Sequence, residues 1–208
     1  MSETVPAPPE AAADSCSCDD RAVTSTVPWT IVLVQVPNEP SRHRVAVWRE
    51  LRRTGAVPIG SGAWLLPSVE PFTAALDRVG ALVERGEGSF AVLSAAPRDA
   101  AAEEVLRTAF AKVRLDEWAE FIDECGKFEA EIDKEFAKRK FTLAELEEEE
   151  QSVERLRRWL AMLESRDVLH LDAASTGAER LAICERRLGE YAEAVYAHTS
   201  RPAEGAED

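Results

Sequence analysis

The sequence predicts an α+β protein, with a ferredoxin-like β-α-β-β-α-β domain followed by an all-helical domain. Three observations lead there. Between residues 29 and 97, short β-branched runs alternate with segments of helical spacing in that order. After Asp99 no strand signal survives, Gly and Pro almost vanish, and apolar residues recur every three or four positions. Hydrophobic residues make up 45% of the 208, enough for a sizeable core.

Each element has its own signal. Ile31 to Val36 is β-branched and followed by Pro37, which marks a strand. Pro37-Asn38-Glu39-Pro40 breaks the strand. Ser41 then suits an N-cap, a helix runs to about Thr54, and Gly55 fits the left-handed position after it. Ala56–Ile59 and Ala63–Leu66 read as a hairpin closed by Gly60-Ser61-Gly62. Phe72, Leu76, Val79 and Val83 predict a second helix, from about Val69 to Arg85, with helices on one face of the sheet. Phe90–Leu93 is the last strand. Beyond it, Asp99–Phe110, Asp116–Lys140, Leu143–Glu164 and Ala178–His198 read as helices, two of the long ones pairing as an antiparallel hairpin. Thr142 and Glu145 have the spacing of a capping box. The expected organisation is a disordered tail at 1–28, a ferredoxin-like domain at 29–97, a helical domain at 99–198 and a disordered tail at 199–208. The first tail is acidic: Glu3, Glu10, Asp14, Asp19 and Asp20 against Arg21.

The formal net charge is −14, which argues against coating nucleic acid through an overall field. Within residues 41–53 the sign reverses. Arg42, Arg44, Arg49, Arg52 and Arg53 stand against Glu50 alone, and His43 lies among them. At 100° per residue, Arg42, Arg49 and Arg53 fall within about 40° of one another, with Val47, Trp48 and Leu51 nearly opposite. Arg44 lies nearer the apolar side. Guanidinium is well suited to phosphate, because its planar fork donates in pairs. The competing expectation is that these arginines pair with the acidic helices of the same chain.

Little in the chain suggests catalysis. A metal-dependent nuclease on this pattern needs a carboxylate at the end of the first strand, yet that strand ends Gln35-Val36-Pro37-Asn38. No Gly-rich phosphate loop or nucleophile motif appears. Cys16, Cys18, Cys125 and Cys184 and the dispersed His43, His170 and His198 do not make a zinc site, and the cysteines read as reduced thiols. The five tryptophans read as core. The expectation is therefore a non-enzyme with no metal and no cofactor, cytoplasmic in location. No apolar run reaches membrane-spanning length, and residues 1–20 lack the features of a secretory signal.

The pattern Trp29…Leu33…Val36-Pro37…Pro40-Ser41-Arg42…Arg44-Val45…Trp48-Arg49…Leu51-Arg52…Gly55-Ala56, then Gly62…Trp64-Leu65-Leu66-Pro67, resembles the N-terminal domain of the chromate-resistance regulator ChrB. Arg155-Leu156-Arg157-Arg158 and Arg166-Asp167 are similar to the family's later helices. The resemblance covers about residues 29–198. It implies a cytoplasmic regulator of chromate resistance whose N-terminal region binds promoter DNA, with Arg42, Arg44, Arg49, Arg52 and Arg53 as the candidate contacts. A homodimer formed through the sheet or the long helices is expected as well, because one basic patch in so acidic a chain is marginal and two held together gain effective concentration. The family's separate oxyanion-sensing C-terminal domain is expected to be absent here. Two other readings stay open: a protein-interaction module with an acidic helical half, and a small-oxyanion sensor that takes chromate or sulfate on the same arginines.

Overall fold

The structure is a computed structural model that describes residues 27–200. The tails expected at 1–28 and 199–208 lie outside the described residues except at their inner ends, and Cys16 and Cys18 lie outside altogether. The elements are β1 (Trp29–Gln35), α1 (Ser41–Thr54), β2 (Val57–Gly60), β3 (Ala63–Pro67), α2 (Leu76–Arg85), β4 (Ser89–Ala95), α3 (Ala100–Lys138), α4 (Leu143–Arg166) and α5 (Asp172–Thr199). The fold is α+β: one antiparallel four-stranded sheet and five helices.

The sheet order is β2-β3-β1-β4, so β3 separates β1 from β2 and β1 separates β3 from β4. Register decides which residues share a face. Val32 lies opposite Trp64 and Val92, while Ile31 lies opposite Leu65 and Leu93. α1 and α2 cover the Val32 face: Phe90 meets Gly80 of α2, and Val34 and Trp64 approach Val47 and Leu51 of α1. The other face is not bare, as a one-sided arrangement would leave it. The N-terminal part of α3 crosses it, with Phe110 edge-on to Trp29 at 5.8 Å and the Trp29 indole donating to Glu103 at 3.1 Å. β4 is an edge strand, and Leu33 and Leu93 on the α3 side of the sheet stay exposed.

α3 is a single helix of 39 residues, where two helices were expected. At 1.5 Å per residue it is about 58 Å long. Its buried positions are Phe110, Arg114, Trp118, Phe121, Cys125, Phe128, Ile132 and Glu135, a three-four alternation of coiled-coil type. Phe110 belongs to the sheet core and Trp118 onward to a second core shared with α4 and α5. Arg155 reaches Glu124 and Trp159 meets Phe121, so α4 runs antiparallel to α3. Arg180 pairs with Glu129 and Arg187 with Asp133, so α5 runs parallel to α3.

Other boundaries also differ from expectation. The residues before α2 form a 3₁₀ turn, Thr73–Ala75, so α2 proper begins at Leu76 and not at Val69. α5 begins at Asp172, six residues earlier than its apolar pattern suggests. Thr142 does cap α4, accepting from the Glu145 amide at 3.3 Å, but the Glu145 carboxylate pairs with Lys140 at 2.5 Å rather than closing a box.

Candidate nucleic-acid interface

α1 is held by its apolar side and by its C-terminal end. Val47 and Leu51 are buried, and Thr54 donates its hydroxyl to the Glu50 carbonyl at 2.8 Å. Gly55 takes φ +89, the left-handed conformation that glycine adopts without strain, and its amide returns to Arg52 at 3.0 Å. Pro40, not Ser41, occupies the N-cap, and it offers no side-chain cap.

The predicted site residues all lie on this helix, but they do different things. Arg42, Arg44, Arg49, Arg52 and Arg53 are exposed. Among the described residues, only Arg53 has a carboxylate partner: Glu50, one turn back, at 2.6 Å. Glu50 is shared with Arg78 of α2 at 3.0 Å, and these two guanidiniums, Arg53 first, hold its carboxyl below the usual range. Arg44 bonds the Asn38 amide oxygen. Arg52 lies over the Trp48 ring, 5.4 Å from its centroid. His43 is half-buried, and its Nε2 accepts from Arg42 Nε at 3.3 Å, so it supports an arginine. The stripe of Arg42, Arg49 and Arg53 thus faces solvent. None of the α1 arginines pairs with an acidic residue of α3, α4 or α5 among the described residues. The acids of the bundle pair instead with its own bases, such as Arg157 with Glu185 at 2.7 Å.

Trp48 departs from the core role expected of it. It is 50% exposed and walls a groove of about 520 Å³ between α1 and the sheet. Arg44 and Asn38 line the same groove.

Two functional neighbours escape sequence reasoning. Arg166, at the end of α4, donates to the Arg53 carbonyl at the C-terminal end of α1. Arg114 of α3 is 98% buried beside Gly55, stacked over Phe110 at 5.0 Å and paired with Glu117 at 3.1 Å. Burial, first, and then the charges of Arg166 and Arg52 push its pKa down to about 10, which leaves it charged at neutral pH. The Arg166 bond ties the α1 C-terminus to the bundle, and the Arg114 guanidinium, which among the described residues bonds only Glu117, adds its positive charge beside that carbonyl end. The signal for Arg114 was its place in the three-four alternation of α3. Among the described residues no group of three or more His, Cys, Asp or Glu is placed to hold a metal, and no helix is long and apolar enough to cross a membrane.

A small antiparallel sheet that presents a basic helix, joined by one long helix to an acidic three-helix bundle, defines the class of this protein. Its sequence matches the model of the family described as Protein ChrB, N-terminal, over residues 44–202. The chain belongs to that family, which relates it to chromate resistance. The match includes Arg44, Arg49, Arg52 and Arg53; Arg42 and His43 precede it. No curated protein matches the chain.

Proposed function

We propose that this protein is a non-enzymatic, cytoplasmic transcriptional regulator of chromate resistance that binds promoter DNA through the arginines of α1. The observation that carries this reading is the solvent-facing stripe of Arg42, Arg49 and Arg53, whose only carboxylate neighbour among the described residues is Glu50. An arginine helix meant for docking within the chain would have spent its charges on the acidic bundle, and it has not. Exposed guanidiniums on one helix face suit successive phosphates of a duplex, with release of condensed counterions as the driving force.

The split arrangement of the β-α-β pairs supports a ferredoxin-like assignment for the sheet domain. A homodimer fits the exposed Leu33 and Leu93 beside the open β4 edge. It would fix two basic helices in one assembly and raise their effective concentration on DNA.

The test is binding to the protein's own promoter-region duplex and to an unrelated duplex at two salt concentrations. Arg49→Ala with Arg53→Ala should weaken binding to both duplexes and flatten the log–log salt dependence by about one to two units, the full unit for Arg49 and a part for Arg53, which Glu50 holds back. A double variant that binds as the parent does would overturn the role of α1.

A further inference from the structure

The groove beside α1 has a different character from the arginine stripe. Its floor is apolar: Val34, Val47, Leu51 and Trp64. Trp48 forms one wall and remains 50% exposed, so a large indole surface stays in water beside the buried Val47 and Leu51 of the same helix. At the rim stand Arg44 and Asn38, bonded to each other, and Arg44 has no carboxylate partner among the described residues. The volume, about 520 Å³, falls within the range of small-molecule sites.

We propose that this groove binds a nucleotide, with the base against the Trp48 and Trp64 indoles and the phosphate on Arg44. Two properties select this ligand class. An inorganic oxyanion satisfies Arg44 but gains nothing from apolar walls that must be dehydrated to admit it. A purely apolar ligand fills the floor but leaves Arg44 to be dehydrated without an anion. A nucleotide meets both needs, because any base offers a π-face for stacking and the phosphate accepts the guanidinium fork. The Asn38 side chain lines the groove, and its NH₂ group can donate to the polar edge of a base while its carbonyl oxygen accepts from Arg44. The same chemistry is available from a free mononucleotide or from an unpaired nucleotide of a single strand. The groove lies on a different side of α1 from Arg49 and Arg53, so it does not depend on the duplex-binding role of the stripe.

Isothermal calorimetry on the full chain tests it with AMP and CMP as probes and with adenosine, cytidine and inorganic phosphate as controls. The expected result is one saturable site per chain for at least one nucleotide, with each nucleoside and inorganic phosphate binding at least tenfold more weakly. Trp48→Ala should weaken nucleotide binding by about fivefold or more, the scale of one stacked base, and Trp48→Phe should restore most of it. Arg44→Ala should bring nucleotide affinity close to that of the nucleoside. Thermal denaturation of each variant verifies folding. A single-stranded tetranucleotide that binds more tightly than AMP or CMP assigns the site to a nucleic-acid strand; equal affinity assigns it to the free nucleotide. Absence of saturable heat from both nucleotides and the tetranucleotide overturns the proposal. So does phosphate binding as tightly as AMP and CMP, or unchanged affinity in Trp48→Ala. None of these outcomes depends on the duplex affinity of the Arg49/Arg53 variant, so the two readings fail separately.

Discussion

The contact between α3 and α5 is tested by two identical changes on one helix. A Cβ added at Gly177 would lie 2.7 Å from Trp118 Cζ3 and 2.9 Å from Cε3, closer than carbon atoms pack. Trp118 is 1% exposed and set edge-on to Phe121 at 6.1 Å, so its rigid ring has little room to yield. At Gly189, also in α5, an added Cβ meets nothing within 4 Å. Ala gains about 0.5–1 kcal/mol over Gly in a helix interior at either position. Forcing a methyl into a packed core costs about 1–3 kcal/mol, and only at Gly177. Gly189→Ala should therefore stabilise by about 0.5–1 kcal/mol. Gly177→Ala should fall about 1–3 kcal/mol below it. In a chain of this size the two melting temperatures should differ by roughly 2–12 °C, at about 2–4 °C per kcal/mol. Scanning calorimetry reads the difference directly, and urea titration checks that one cooperative transition is followed. If both variants are stabilised equally, the close approach of α5 to Trp118 is wrong.

Three further outcomes follow from the charges and thiols. Glu50→Gln releases Arg53 from its carboxylate, so duplex binding should tighten and the salt slope should steepen by up to about one unit, measured by salt titration of duplex affinity. The carboxyl of Glu149 is raised above 4.5, first by burial and then by the neighbouring Glu131, Glu148, Glu135 and Glu145. The folded state then holds a proton that the unfolded chain has lost, and stability falls as pH rises from 4.5 through the raised value. Glu149→Gln should accordingly raise the melting temperature at pH 7, with the gain vanishing below pH 4.5; a gain independent of pH would contradict this. Cys125 and Cys184 are fully buried, and the Cys184 thiol is pushed up by its contact with Cys125 and by burial. In native protein both should resist maleimide and react only in denaturant, as read by peptide mass spectrometry.

Much of the sheet domain was legible because several of its boundaries have a local chemical cause. Gly55 ends α1 and Gly62 turns the hairpin, both at positive φ. The arginine stripe was legible because helical geometry alone places Arg42, Arg49 and Arg53 together. What escaped was decided by partners distant in sequence. The apolar pattern of the last helix starts at Ala178, yet Gly177, inside α5, is the residue that lets the helix approach Trp118. Trp48 has the helical phase of a core residue, but the sheet beneath it leaves a groove, and no local pattern encodes a gap.

The division of α3 into two expected helices has a single cause. Ala111-Lys112-Val113-Arg114-Leu115 contains no Gly or Pro, and nothing in it breaks a helix. What fails there is the apolar alternation, because its buried position is filled by Arg114. That position lies where the sheet core ends with Phe110 and the bundle core begins with Trp118. It is also where Gly55 closes α1 and where Arg166 reaches the Arg53 carbonyl. A buried guanidinium costs stability unless its surroundings return hydrogen bonds and opposite charge. Glu117 and the Phe110 ring supply part of this, but Arg114 Nε and Nη1 are left without partners. An apolar residue of similar volume would fit the α3 pattern at lower cost, but it could not complement the carbonyl end of the basic helix. The charge that hides the continuity of α3 in the sequence is thus the charge that couples the bundle to α1. Arg114→Met should therefore leave the fold intact while loosening that link, seen as faster amide hydrogen exchange at Thr54 and Gly55 than in the parent. Unchanged exchange at those two amides would show that Arg166 alone secures the end of α1.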